Sequence, residues 1–352
     1  MNQYKCIDSF SGAGGLCLGL IEAGFNVLYS FDIDSRSIQT INANPKYFNG
    51  HKAEVRDINE INAGDLLASL NLQQGELDLL AGGPPCQGFS VQRIGKDYDE
   101  RNHLVEEYIS KVIAIRPRMF ILENVLGIEG KRGKSILHQA LVKVENAGYF
   151  IHEQVLDAQD FEVPQRRRRV VIVGERKDHP TPLFQYPIPH SNKVTVRDTI
   201  ALLPPPPTDG SEHPEISLHR RDKLSAKNIA RLQCLKPGQG RDFLPEELLA
   251  NCHKRSSQSI GHRNVYGRMP WDDVAPTITA RFDSFTRGMF GHPEQDRSIS
   301  LREGAMLQTF PTDFMFCGSK VEVARQIGNA VPVKMAKAIG EQIVKCLDQW
   351  NN

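Results

Sequence analysis

With 352 residues the chain can fill a sizeable core and divide into two lobes rather than one. Its 43 Lys and Arg against 42 Asp and Glu leave a formal net charge of +1, which excludes a uniformly basic coat, so a polyanionic partner must meet a local patch. No apolar run approaches the roughly 20 residues that span a bilayer. The start Met1-Asn2-Gln3-Tyr4-Lys5 lacks the pattern of a secretory signal, and the cysteines form no C-x-x-C pair, so a cytoplasmic protein with free thiols is expected.

The first 175 or so residues alternate short apolar strands with helical stretches, the pattern of an open parallel α/β sheet. The expected strands run from Cys6 to Phe10, Val27 to Phe31, Leu77 to Ala81, Met119 to Leu122, Phe150 to Val155 and Val170 to Val173. After the first comes Phe10-Ser11-Gly12-Ala13-Gly14-Gly15 and at once a helix, on which Leu16, Leu20 and Ala23 share a face and Gly24 predicts a left-handed stop. Such a glycine loop lets a nucleotide-like ligand touch the backbone at the helix N-terminus. Asp32 ends the second strand, placed to accept hydrogen bonds from ribose hydroxyls. Cys17 stands where the dinucleotide fingerprint needs glycine, which disfavours a nicotinamide enzyme. Beyond a third strand, Asp57-Ile58 offers either a carboxylate and an apolar wall for an adenine ring or a carboxylate that caps a helix.

Gly82-Gly83-Pro84-Pro85-Cys86-Gln87-Gly88-Phe89-Ser90 carries the most information. Two glycines permit a sharp turn after a strand and two prolines stiffen the approach to a thiol, as a mounted nucleophile requires. The segment from Ser90 through Gln92 and Arg93 to Asp97, hinged by Gly88 and Gly95, is expected to close over a ligand. Glu123 follows the strand Met119-Phe120-Ile121-Leu122, so it can share a crevice with Cys86 and the glycine loop. There it is either a partly desolvated proton donor or the partner of a neighbouring cation. In Gln165-Arg166-Arg167-Arg168-Arg169, alternation puts Gln165, Arg167 and Arg169 on one face, either solvated or reaching into that crevice.

From about Pro180 strands become hard to place, and Pro204 to Pro207 form an extended linker or surface loop. Near the end Val333, Ala336, Ile343 and Leu347 restore a helical stripe after Pro332. Cys234, Cys252, His253 and His262 lack tight ligand spacing, so no metal centre is expected.

In this order the residues resemble the cytosine-C5 DNA methyltransferase family of the prokaryotic restriction-modification type. The matching runs are Phe10-x-Gly12-x-Gly14-Gly15, Asp32, Asp57-Ile58, Pro84-Pro85-Cys86-Gln87, Glu123-Asn124-Val125, Gln165-x-Arg167-x-Arg169, Arg302-Glu303 with Leu307-Gln308, and Gln326-Ile327-Gly328-Asn329-Ala330-Val331-Pro332. Ser11 stands where alanine is common, and Gly304 interrupts the usual helical run. The resemblance implies an α/β chain: a doubly wound Rossmann-like S-adenosylmethionine-dependent domain over 1–178, a smaller target-recognition domain over 179–300, and a C-terminal return over 301–352.

It also implies roles. Cys86 would add to C6 of a flipped-out cytosine, Glu123 would protonate N3, Arg169 would hold O2, Arg167 would support the site, and the Pro85 carbonyl would accept from the exocyclic amine. The cofactor S-adenosylmethionine, with S-adenosylhomocysteine as product, would be lined by Phe10, Gly12, Gly14, Gly15, Asp32, Ile33, Asp57, Ile58, Pro85, Leu104 and Asn329. Double-stranded DNA is the expected partner, met by Ser90, Gln92, Arg93, Arg263, Arg268, Thr277 and Arg281, and the chain is expected to act as a monomer. A tRNA-directed relative and an inactive DNA-binding relative are the competing readings.

Overall fold

The computed structural model describes residues 4–51, 53–85, 103–130, 133–251 and 265–351. The chain forms two compact units: unit 1 comprises residues up to Asp157, Arg168–Pro189 and Val331–Asn352, and unit 2 comprises Ala158–Arg167 and His190–Ala330.

Unit 1 is built on one seven-stranded sheet in the order β3-β2-β1-β4-β5-β7-β6. Its strands are β1 (Lys5–Ser9), β2 (Asn26–Asp32), β3 (Ala53–Val55), β4 (Leu79–Gly82), β5 (Met119–Val125), β6 (Tyr149–Asp157) and β7 (Arg168–Arg176). The first five pair in parallel, as the alternation with helices predicts. The last two depart from that expectation, because β7 runs antiparallel to both β5 and β6. No crossover helix separates β6 from β7, and without one the chain can only reverse and return antiparallel. Ile7, Leu80, Phe120, Leu122, Val170 and Ile172 join a core with α3 (Ala63–Ser69), α4 (His103–Ile115) and α5 (Gly133–Asn146). The intervening Cys6, Leu79, Ile121 and Val171 are equally buried, so both faces of the sheet are covered.

Helix α1 (Gly15–Glu22) ends as the sequence predicts: Gly24 takes φ +104°, with the Phe25 N–H on the Leu20 carbonyl and the Gly24 N–H on that of Ile21. Helix α2 (Ser35–Asn42) follows β2. The C-terminal helix α10 (Val333–Trp350) lies along α1, and a side chain at Gly19 would sit 2.4 Å from the Val333 carbonyl oxygen, so the two backbones touch. The stripe Val333, Ala336, Ile343 and Leu347 is buried.

Unit 2 holds α6 (Val196–Ile200), α7 (Ala226–Gln233), α8 (Leu301–Leu307) and α9 (Lys320–Asn329). Among its described residues β structure is limited to isolated bridges, which explains why no strand periodicity was visible there. Irregular chain leaves carbonyls without ladder partners, and buried arginines supply the donors. Arg302 donates to the carbonyls of Ser217, Pro311 and Phe314, and Arg268 to those of Leu232, Leu235, His292 and Gln295. Gly304, the departure inside α8, lets the Phe282 ring pass, for a side chain there would meet its Cε2 at 2.2 Å.

Candidate active site

The glycine loop leaves β1 through three residues in left-handed conformation, Phe10 at φ +55°, Gly12 at +52° and Gly14 at +86°. Gly14 has no room for a side chain, since a Cβ would lie 2.6 Å from the buried Phe48 ring. Gly15 opens α1, whose cap Gly14 offers no side-chain oxygen to the first turn. Asp32 pins the loop: Oδ2 accepts the Gly12 N–H at 2.9 Å and Oδ1 the Asp34 N–H at 2.8 Å. Burial raises the Asp32 carboxyl above its usual range, and these backbone bonds offset part of the rise. The cradle fits a nucleotide-like ligand, because Ser11 Oγ is buried there without a hydrogen-bond partner and α1 presents uncapped N–H groups.

Asp57 caps a helical turn, accepting the Asn59 backbone and side-chain N–H groups at 2.9 and 2.7 Å, which is the capping alternative weighed from the sequence. Ile58 was expected to wall an adenine, yet its side chain is 3% exposed and belongs to the core. Ile33, 70% exposed beside Asp32, is the apolar side chain left standing there. Leu104, half-buried on α4, packs against the core.

At the end of β4 three contacts hold the chain that leads to Cys86, and the Tyr108 hydroxyl also meets β5. Ser9 Oγ donates to the Ala81 carbonyl at 3.0 Å, the buried Tyr108 hydroxyl lies 2.9 Å from the Leu80 carbonyl and 2.6 Å from that of Ile121, and Asn124 Nδ2 donates to the Pro84 carbonyl at 3.0 Å. A side chain at Gly83 would lie 3.2 Å from Glu123 Oε2, so the carboxylate rests against the backbone just before Pro85. Cys86 lies outside the described residues, as do Ser90, Gln92, Arg93 and Arg263.

Glu123 pairs with Arg169, Oε1 to Nε 2.9 Å, with side chains 14% and 12% exposed. The β5–β7 register brings them together, Glu123 facing Val171 and Val125 facing Arg169. Arg167 belongs to unit 2 and is 1% exposed, donating to the Ile278 carbonyl at 3.0 Å and the Asn329 carbonyl at 3.5 Å. It is a brace rather than a group presented to a base. Asn329 itself is exposed at the end of α9.

One expected DNA contact needs correction. Arg268 is buried, with four main-chain carbonyls and Asp296 taking its N–H groups, so it has no face for DNA. Thr277 Oγ1 donates to the Arg166 carbonyl at 2.7 Å, which fixes the hydroxyl and leaves its oxygen free to accept. Arg281 remains half-exposed, its Nε 3.1 Å from Asp283 Oδ1.

Three further residues shape the site. Tyr108 hides on an apolar stripe with Val105, Ile109 and Val112, and Asn124 sits inside a motif whose glutamate drew the attention. Asp8 carries the clearest missed signal, a carboxylate in the middle of an apolar strand. It is wholly buried, neither oxygen meets hydrogen-bond geometry, and burial followed by the nearby Asp32 charge pushes its carboxyl well up, with the Cys17 N–H partly offsetting them.

Comparison with known proteins places this geometry. A sequence profile of the C-5 cytosine-specific DNA methylase family matches residues 4–345. The Type II methylase M.HgiDII of Herpetosiphon aurantiacus is 35% identical over 97% of this chain and 95% of its own length. The Type II methyltransferase M1.HphI of Haemophilus parahaemolyticus is 35% identical over 96% of this chain and 86% of its own. A crystal structure of a candidate DNA modification methyltransferase encoded within an E. coli prophage superposes with TM-score 0.73 at 27% identity, covering 98% of this chain and 100% of that one.

Proposed function

The chain belongs to the C-5 cytosine-specific DNA methylase family, and from that premise we propose that it methylates C5 of a cytosine flipped out of duplex DNA, at a defined site, as the modification half of a Type II system. The observation that carries the reading is the Glu123–Arg169 pair held against Gly83, at the strand end that leads into Pro85-Cys86.

Cytosine C5 is too weak a nucleophile to accept a methyl group unaided. Cys86 thiolate adds to C6, forming a carbon–sulfur bond as the ring electrons move toward N3, where Glu123 delivers a proton. Arg169 holds the base's O2 and keeps Glu123 oriented; the Pro85 carbonyl accepts from the exocyclic amine. The product of these steps is an enamine whose C5 is nucleophilic. Asp32, Gly12, Gly14, Ile33 and Asn329 would hold S-adenosylmethionine, which supplies an electrophilic methyl when bound. A base then takes the C5 proton, the freed electron pair closes the C5–C6 double bond, Cys86 leaves as thiolate, and N3 returns its proton to Glu123. A base inside stacked duplex is beyond a thiol's reach, so extrusion precedes addition and costs a few kcal/mol. Among the described residues no helix is long and apolar enough to cross a membrane.

Bisulfite sequencing of a plasmid propagated with this gene tests the reading and identifies the site. Protected cytosines at one recurring sequence are expected, with none for Cys86→Ala. Methyl transfer to tRNA but not to duplex, or an unchanged plasmid, overturns it.

A further inference from the structure

The brace around Ile278 joins the Thr277–Arg281 segment, whose first and last residues are expected to meet DNA, to the end of α9, where Asn329 is expected to meet the cofactor. Gln165 and Gln308 are both wholly buried in unit 2. Gln165 Oε1 accepts the Ile278 N–H at 2.8 Å, and its Nε2 donates to Gln308 Oε1 at 2.9 Å. Gln308 Nε2 in turn donates to the carbonyls of Ile327 at 2.6 Å and Ala330 at 3.3 Å. Each carboxamide has one workable orientation. Turning over Gln308 alone would set its NH2 against that of Gln165 and its oxygen against two carbonyls. The dipoles therefore run head to tail from Ile278 to the end of α9.

Two further links are parallel to this one. Arg167 holds the Ile278 and Asn329 carbonyls at 3.0 and 3.5 Å. A side chain at Gly328 would lie 2.2 Å from the Thr279 carbonyl carbon, so α9 and the Thr277–Arg281 segment meet backbone to backbone. The Ile278 N–H is thus tied through the two glutamines to the Ile327 and Ala330 carbonyls, and its carbonyl through Arg167 to that of Asn329.

We propose that Gln165 and Gln308 are positioning residues that couple DNA engagement at Thr277–Arg281 to cofactor capture at Asn329. The inference rests on the functional reading above, which supplies the two ligands. A buried amide that leaves one partner without gaining another is left unsatisfied in surroundings that cannot solvate it. Ile278, the two glutamines and the α9 terminus therefore shift as a unit, and a ligand that favours one arrangement at either end favours it at the other.

The test is the affinity for S-adenosylhomocysteine, measured by calorimetry with and without saturating duplex carrying the site mapped by bisulfite sequencing. For the parent the duplex should raise that affinity about tenfold or more, within the usual range of coupling between sites. Gln308→Met fills the same space without the bonds, and its enhancement should fall to about threefold or less while affinity without DNA stays near the parent's. Gln165→Met should behave alike, and the double variant no worse than either, since all three break one chain. A merely structural role would lower the melting temperature and both affinities together, leaving the ratio intact. Full enhancement in a folded Gln308→Met, or none in a parent that methylates the duplex, overturns the coupling. Should Gln308→Met fail to fold, Gln165→Met decides by the same ratio. A parent that does not methylate the duplex refutes instead the function on which the inference rests.

Discussion

Replacing Glu123 by glutamine separates chemistry from architecture. Glutamine keeps the shape and an acceptor oxygen for Arg169 Nε, now 2.9 Å away, but cannot deliver a carboxyl proton. Arg169 stays cationic, so the contact changes from an ion pair to a hydrogen bond between a charged donor and a neutral oxygen, a loss of about 1 kcal/mol. That lowers the melting temperature by about 2–4 °C. A lost general acid costs about 10²- to 10⁴-fold in rate, equivalent to about 3–5 kcal/mol of barrier. Arg169→Ala differs, because it strands the Glu123 carboxylate in a largely buried place, with a stability loss of about 2–4 kcal/mol on top of the lost rate. The assay pairs single-turnover methyl transfer with a thermal melt for each variant. A Glu123→Gln enzyme that transfers methyl within about threefold of the parent, well short of a lost general acid, would refute its assignment as proton donor.

Glycine substitutions in the two units should both destabilise. Gly14→Ala meets the Phe48 ring at 2.6 Å at φ +86°, whereas Gly12→Ala faces open space, so Gly14→Ala should melt lower and bind S-adenosylhomocysteine more weakly. Gly304→Ala gains about 1 kcal/mol of helix propensity but forces the buried Phe282 ring aside, costing about 1–3 kcal/mol or more, and calorimetry should show net loss. Acid should weaken unit 2 through His292, which burial holds down at about 4 while its Nδ1 accepts two backbone N–H groups. Its neutral form is favoured on folding, so that contribution is complete above the unfolded value of 6.5 and is lost as pH falls toward 4, about 2–3 kcal/mol by pH 4.5. Denaturant titrations at pH 7.5 and 4.5 measure it, and undiminished stability at the lower pH would contradict the assignment. Glu303 acts in a lower window, since burial opposes its charge but the Arg297 pair holds it at about 2, so its share disappears only between 4.5 and 2.

How much of this was legible depended on whether the information was local. The strands, the glycine loop, the Gly24 stop and the C-terminal stripe rest on composition and periodicity within a few residues, and they stand where the sequence puts them, the strand ends to within three residues. Glu123 and Arg169 could be named but not joined, because their meeting depends on β7 inserting antiparallel beside β5. Ile58 was misread because apolar character does not reveal which way a side chain faces, and a short helical turn after Asp57 sends it inward. Unit 2 was least legible: its fold is held by side chains donating to main-chain carbonyls far away in sequence, as Arg167 does to Ile278, and such bonds leave no periodic trace.

The arginines illustrate what that costs a prediction of DNA contact. An arginine whose N–H groups are spent on main-chain carbonyls cannot turn to a phosphate without stranding those carbonyls, so cations in the sequence overstate cations available to DNA. Arg268 is spent in this way, whereas Arg281 is half-exposed and shares Asp283 with Lys320, which would keep Asp283 paired after its removal. Each phosphate contact adds about 0.9 to the slope of log affinity against log salt. Arg281→Ala should therefore flatten that slope by about one contact's worth with little change in melting temperature. Arg268→Ala should leave the slope alone and melt markedly lower. If instead Arg268→Ala flattened the slope at unchanged stability, the guanidinium would have to leave its carbonyl cage on binding DNA, and the argument from its burial would fail.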